Sequence, residues 1–119
     1  MYTSREDLAW AAGFFDGEGT GYSEGSPTRR HRPTIAISQS GEAGKKTLAR
    51  FQKAIGGLGK VYGPYKPSQT QKQIRYYWQA RTFETTQAIM AMLWCFLGDV
   101  KRDQMARILN VNKQWCLER

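Results

Sequence analysis

Hydrophobic and polar positions follow two different periods along this chain, and the switches between them mark out eight elements. Leu8, Ala11, Ala12 and Phe15 recur at helical spacing, the interval that lines side chains along one face of a 3.6-residue turn. Ahead of them, Thr3 or Ser4 followed three residues later by Glu6 or Asp7 has the form of a capping box. Gly17, Gly19 and Gly21 are expected to end the helix, because glycine breaks helices and permits a positive φ. A short strand should follow through Tyr22 and Glu24 and turn at Gly25-Ser26-Pro27. From Arg30 to Ser40 the period becomes two, with Thr34, Ala36 and Ser38 on one face and Ile35 and Ile37 on the other. That is a half-buried strand. Ser40 is placed to cap a second helix with Glu42 in its first turn and Leu48, Phe51 and Ile55 as its apolar stripe, closed by Gly56-Gly57.

Lys60-Val61-Tyr62 begins a third strand that Pro64 and Pro67 should end. The clearest alternation runs from Gln73 to Arg81 and sets Ile74, Tyr76, Trp78 and Ala80 against Arg75, Tyr77, Gln79 and Arg81. A third helix from about Glu84 to Phe96 buries Ile89, Leu93 and Phe96; after Gly98-Asp99 a fourth carries Met105, Ile108 and Leu109. Strand pairs separated by a helix imply an α+β class, one domain over 1–119, with a four-stranded antiparallel sheet and helices on one face. The other sheet face would carry Arg32, Thr34, Ser38, Lys60, Tyr62, Arg75, Tyr77, Gln79 and Arg81.

Composition narrows the classes. The chain is 119 residues long, with 40% hydrophobic residues and four tryptophans, which excludes a disordered chain. The longest apolar stretch, Ile89–Leu97, falls far short of the roughly 20 residues that cross a bilayer. The polar, acidic start does not read as a secretion signal. Cys95 and Cys116 lack metal-ligand spacing and read as reduced thiols. An intracellular soluble protein is expected, without membrane partner or small-molecule cofactor.

Charge changes the picture most. The net formal charge is +8, and it is unevenly placed: residues 29–81 hold twelve bases against one acid, while residues 1–28 hold one base against five acids. A segment this lopsided is the footprint of a polyanion, although a solvated basic surface is the plain alternative. The mixture of long donors, hydroxyls and an amide on the open sheet face suits readout of base edges in a major groove. Tyr22, Glu24 and Arg30 extend that surface, and His31, between Arg30 and Arg32, reads as a further DNA contact. Lys45, Lys46, Lys66 and Lys72 fall where phosphate contacts are usual. Tyr62, Tyr76 and Tyr77 would suit stacking on RNA, but Tyr76 falls on the core face, so double-stranded DNA is favoured.

One string carries chemistry. Ala11-Ala12-Gly13-Phe14-Phe15-Asp16-Gly17-Glu18-Gly19 resembles the signature of the LAGLIDADG homing endonucleases. Ala12, Gly13, Asp16 and Gly19 match by identity and the other five by character. The resemblance extends over nearly the whole chain through the αββαββα order, and it implies a saddle-like sheet with DNA on the face away from the helices. Small residues at Ala12, Gly13 and Gly17 would let a second helix approach closely, and Asp16 belongs with them at the helix end.

In that family two such helices pair, and their terminal acids hold divalent cations against the scissile phosphates. By the match, Glu18 is the metal ligand, with Mg²⁺ as the ion. Gln39 corresponds to the polar residue that positions the attacking water, and Lys101 to a lysine that steadies charge on the phosphate. A chain with one copy of the motif implies a homodimer across Ala12, Gly13, Asp16 and Gly17, a roughly palindromic target, and metal-assisted hydrolysis that breaks both strands. A non-cleaving DNA-binding regulator or an intron RNA maturase on the same fold is the alternative.

Overall fold

The computed structural model describes residues 3–26, 29–67 and 73–118, with side chains for all of these except 24, 26, 29–31 and 111–118. Along the chain lie α1 (Arg5–Glu18), β1 (Gly19–Ser26), β2 (Arg29–Ser40), α2 (Gly41–Ala54), β3 (Lys60–Tyr65), β4 (Arg75–Ala80), α3 (Phe83–Leu93), a 3-10 turn (Trp94–Phe96) and α4 (Asp99–Glu118). The order and the α+β class are those expected from the periodicity. All neighbouring strands are antiparallel, in the order β1-β2-β4-β3.

Local chemistry sets most boundaries. Ser4 caps α1 by accepting from the Asp7 N–H at 3.1 Å, and Thr82 caps α3 by accepting from Thr85 N–H at 3.1 Å. Gly56 and Gly57, with φ of +81° and +84°, close the turn after α2 in a conformation that a Cβ would oppose. The α1 terminus departs from expectation. None of Gly17, Gly19 and Gly21 has positive φ, and Gly19 is extended at φ −85°, ψ 160°. At Gly19 glycine is required for volume, because a Cβ would collide with the Phe15 ring and carbonyl; a Cβ on Gly21 would press on the flexible end of the Met105 side chain. Helix α1 therefore runs into β1 without a turn, and Glu18 sits at the junction.

Two strand ends also differ. β3 continues through Pro64 with a register shift between Tyr62 and Tyr65, which an edge strand tolerates because one side needs no N–H donor. β4 starts at Arg75, so Ile74 is exposed instead of joining the core face. The third helix breaks into a 3-10 turn before Phe96.

The core lies between one sheet face and the helices. Trp78, on the central strand β4, is fully buried beside Ile35 and Ile37 of β2 and Phe15, Leu48, Phe51, Ile89, Leu93 and Met105 of the helices. Phe51 meets its indole edge-on at 4.8 Å, and the indole N–H donates to the Leu58 carbonyl at 3.0 Å. Thr86, the buried hydroxyl of α3, donates to the Pro33 carbonyl at 3.1 Å. These contacts hold the sheet rigidly from behind and leave its other face open.

Candidate nucleic-acid interface

The strand register arranges the open face in rows. Thr20, Ala36, Gln79 and Lys60 form one row across β1, β2, β4 and β3, and Ser38, Tyr77 and Tyr62 form the next. Glu18, one residue before β1, opens onto this surface. Together they bound a hollow of ≈ 580 Å³ lined by Glu18, Thr20, Tyr22, Ala36, Ser38, Tyr62, Tyr65, Tyr77, Gln79 and Arg81. Four of these are tyrosines, each 38–46% exposed although large and aromatic. Tyr65 and Tyr77 lean together with ring centroids 5.1 Å apart. Gln79 donates from Nε2 to the Tyr22 hydroxyl at 3.4 Å. Among the described residues only Glu18 and Arg81 in this lining carry formal charge, so its described part is nearly neutral.

Arg32, Lys60 and Arg75 lie at its margins, and further cations lie on α2 and after β3. Arg32 pairs with position 24 toward the β1–β2 end, Lys60 is exposed on the edge strand, and Arg75 donates to the Ser40 hydroxyl at 3.2 Å. Lys45 and Lys46 are exposed on α2, and Lys66 follows β3. The Lys45 ammonium lies 5.6 Å from the centre of the Tyr76 ring. Tyr76 itself, on the core face as expected, donates its hydroxyl to Glu42 at 3.1 Å. Burial first, and then that carboxylate, push its phenol above the usual value.

Of the residues expected to meet DNA, Tyr22, Ser38, Tyr62, Tyr77, Gln79 and Arg81 line the hollow, and Arg32, Lys60 and Arg75 flank it on the same face. Thr34 needs correction: it shares the parity of Ala36 and Ser38 but is fully buried, so it offers no surface to a ligand. The side chains of Glu24, Arg30 and His31, and all of Lys72, lie outside the described residues. Thr20, Ala36 and Tyr65 were not expected there. Ala36 follows from the β2 parity it shares with Ser38, and Thr20 follows once β1 is known to start at Gly19. Tyr65 could not be found that way, because the shift after Tyr62 carries it to a position opposite Arg75.

Gln39 and Lys101 do not line the hollow. Gln39 has the opposite strand parity, is half-buried, and donates its amide to the Ser38 carbonyl at 2.9 Å. Lys101, in the first turn of α4, places its ammonium 6.0 Å from the centre of the Phe15 ring, along the last turn of α1. Asp16, also on α1, accepts the N–H of Gly98, the residue before α4, at 3.1 Å. On α1, Ala12 is fully buried within its own protomer, a second correction, because the outer face cannot include it. Gly13 and Gly17 are exposed with nothing within 4 Å of a Cβ, and Ala9, also exposed, completes their four-residue spacing.

Among the described residues no group of three or more His, Cys, Asp or Glu could hold a metal ion. Glu18 offers a hard carboxylate, suited to Mg²⁺, but a single side chain needs further oxygens to complete a site. No helix among the described residues is long and apolar enough to cross a membrane.

This architecture is the LAGLIDADG fold, as its structural neighbours establish. The homing endonuclease I-CvuI, solved with the I-CreI target in the presence of Mg and with the DNA not cleaved, matches with a TM-score of 0.69 at 22% identity, over 92% of this chain and 69% of its own. The LAGLIDADG meganuclease I-AabMI, bound to uncleaved DNA, matches with a TM-score of 0.72 at 18% identity, over 94% of this chain and 37% of its own. The group I intron-encoded homing endonuclease I-CeuI, complexed with DNA, matches with a TM-score of 0.70 at 12% identity, over 99% of this chain and 59% of its own. No protein-family model matches the sequence, and no curated protein matches it significantly.

Proposed function

We propose that this chain is a site-specific endonuclease that acts as a homodimer on double-stranded DNA, each protomer reading one half of a roughly palindromic target and together breaking both strands. The observation that carries the reading is the position of Glu18. Among the described residues it is the only carboxylate lining the hollow, at the end of the helix that bears the signature-like string, on the sheet face that Arg32, Lys60 and Arg75 flank.

In this reading the basic margins bind the phosphate rails and set the register of the duplex, while the uncharged hollow meets base edges. Glu18 faces the backbone at the junction of α1 and β1. With a second Glu18 and phosphate oxygens it would hold a divalent cation, which supplies charge neutralisation and an acidified water when bound. Lys101, along the same helix end, lends positive charge to that region. Ala9, Gly13 and Gly17 give α1 an outer face on which a second α1 can lie close.

The non-cleaving reading has one observation in its favour: Gln39 spends its amide on a neighbouring carbonyl, and neither it nor Lys101 reaches the hollow. The two readings part in a cleavage assay. A plasmid library of random inserts is incubated with the protein and Mg²⁺, and the ends of linearised molecules are sequenced. The endonuclease reading expects cuts at one recurring sequence, reduced to background by Glu18→Gln while binding of the cut sequence persists. Enrichment of one sequence by binding, with no cutting by the natural protein, would transfer the proposal to the regulator.

A further inference from the structure

Two polar side chains of the hollow meet across the sheet. The long side chains of Gln79 on β4 and Tyr22 on β1 meet across the intervening strand β2, with the amide Nε2 donating to the tyrosine hydroxyl at 3.4 Å. They can do so because β2 contributes only Ala36 to the row that Gln79 occupies. The contact uses one of the two amide hydrogens and leaves the second hydrogen and Oε1 as a donor–acceptor pair. In a major groove that pair complements adenine, whose N7 accepts and whose N6 donates. The Ala36 methyl in the same row and the Tyr77 ring in the next form apolar surface beside it, the chemistry that meets a thymine methyl group. A guanine there would face the amide with two acceptors and leave Oε1 without a donor.

We infer that Gln79 selects an A·T pair in the DNA bound by this chain, and that Tyr22 is a positioning residue that holds the Gln79 amide for it. The inference rests on the proposal that the open sheet face binds duplex DNA. Among the described residues no other uncharged amide lines the hollow, and the one cation of the lining, Arg81, follows the end of β4.

The test is selection from a pool of 30-base-pair random duplexes, in buffer without divalent cation, with the natural protein and with Gln79→Glu, Gln79→Arg and Tyr22→Phe. Glu is nearly isosteric with Gln, so that variant keeps the fold testable. The natural protein is expected to enrich adenine at one position per bound chain, by about 5- to 150-fold over guanine. Gln79→Glu should turn that position to cytosine, whose N4 donates, and Gln79→Arg should turn it to guanine, with other positions unchanged. Tyr22→Phe should weaken discrimination at that position alone. A natural protein that enriches no sequence overturns the duplex-reading proposal and this inference with it. Enrichment whose positions stay the same in the Gln79 variants, or weaken uniformly, overturns this inference and leaves the duplex-reading proposal standing.

Discussion

At Gly19 the constraint is space. The extended backbone there would suit any residue, yet the Phe15 ring occupies the position of a Cβ. Gly19→Ala is therefore expected to cost about 1–3 kcal/mol, the usual range for overpacking a filled site, read as a lower urea midpoint with unchanged slope. Tyr76 gives a second prediction. Burial and the Glu42 carboxylate hold its proton more tightly in the folded protein than in the unfolded chain. Its contribution to stability is thus intact below the unfolded value of 10.0 and is lost as pH rises through the higher folded value. In an ultraviolet titration of the folded protein, Tyr76→Phe should remove an ionising component that lies above pH 10.

Among the elements, α1 does two jobs with opposite faces. Ala11, Ala12 and Phe15 are buried in the protomer, while Ala9, Gly13 and Gly17 point outward over open space. A glycine inside an exposed helix is unfavourable by about 0.5–1 kcal/mol relative to alanine, so the protomer alone does not explain Gly13. Gly13→Gln should leave the thermal stability of the isolated protomer equal or raised, because Gln is a better helix former, yet should shift the protein toward monomer in analytical ultracentrifugation. An unchanged self-association constant would remove α1 from the proposed dimer interface. Element types were legible from period alone because each has one buried face. The shift in β3 was not, because nothing in Tyr62-Gly63-Pro64-Tyr65 specifies which residue slips against β4.

For the whole molecule, charge and shape act together. Arg32, Lys60 and Arg75 flank a hollow whose described lining is almost uncharged, which separates binding strength from sequence readout. Duplex affinity should fall linearly in a plot of log K against log salt, by about 0.9 per phosphate neutralised. Lys46→Ala, which removes an exposed cation on α2, should reduce that slope by about 1 and weaken all sequences alike. Fluorescence anisotropy across a salt series measures both. A change confined to one sequence would move Lys46 from phosphate contact to base readout.

Residue order by itself determined the element types, the sheet faces, the basic segment and the string that contains Glu18. Each of these depends on neighbours within a few positions, where period, capping and local charge act directly. Only tertiary packing decided that Thr34 and Ala12 are buried, that Tyr65 joins the hollow, and that Gln39 and Lys101 stand outside it. Those outcomes depend on which distant strand or helix covers a position. Parity tells which side a residue faces; it does not tell what the rest of the chain has laid over it.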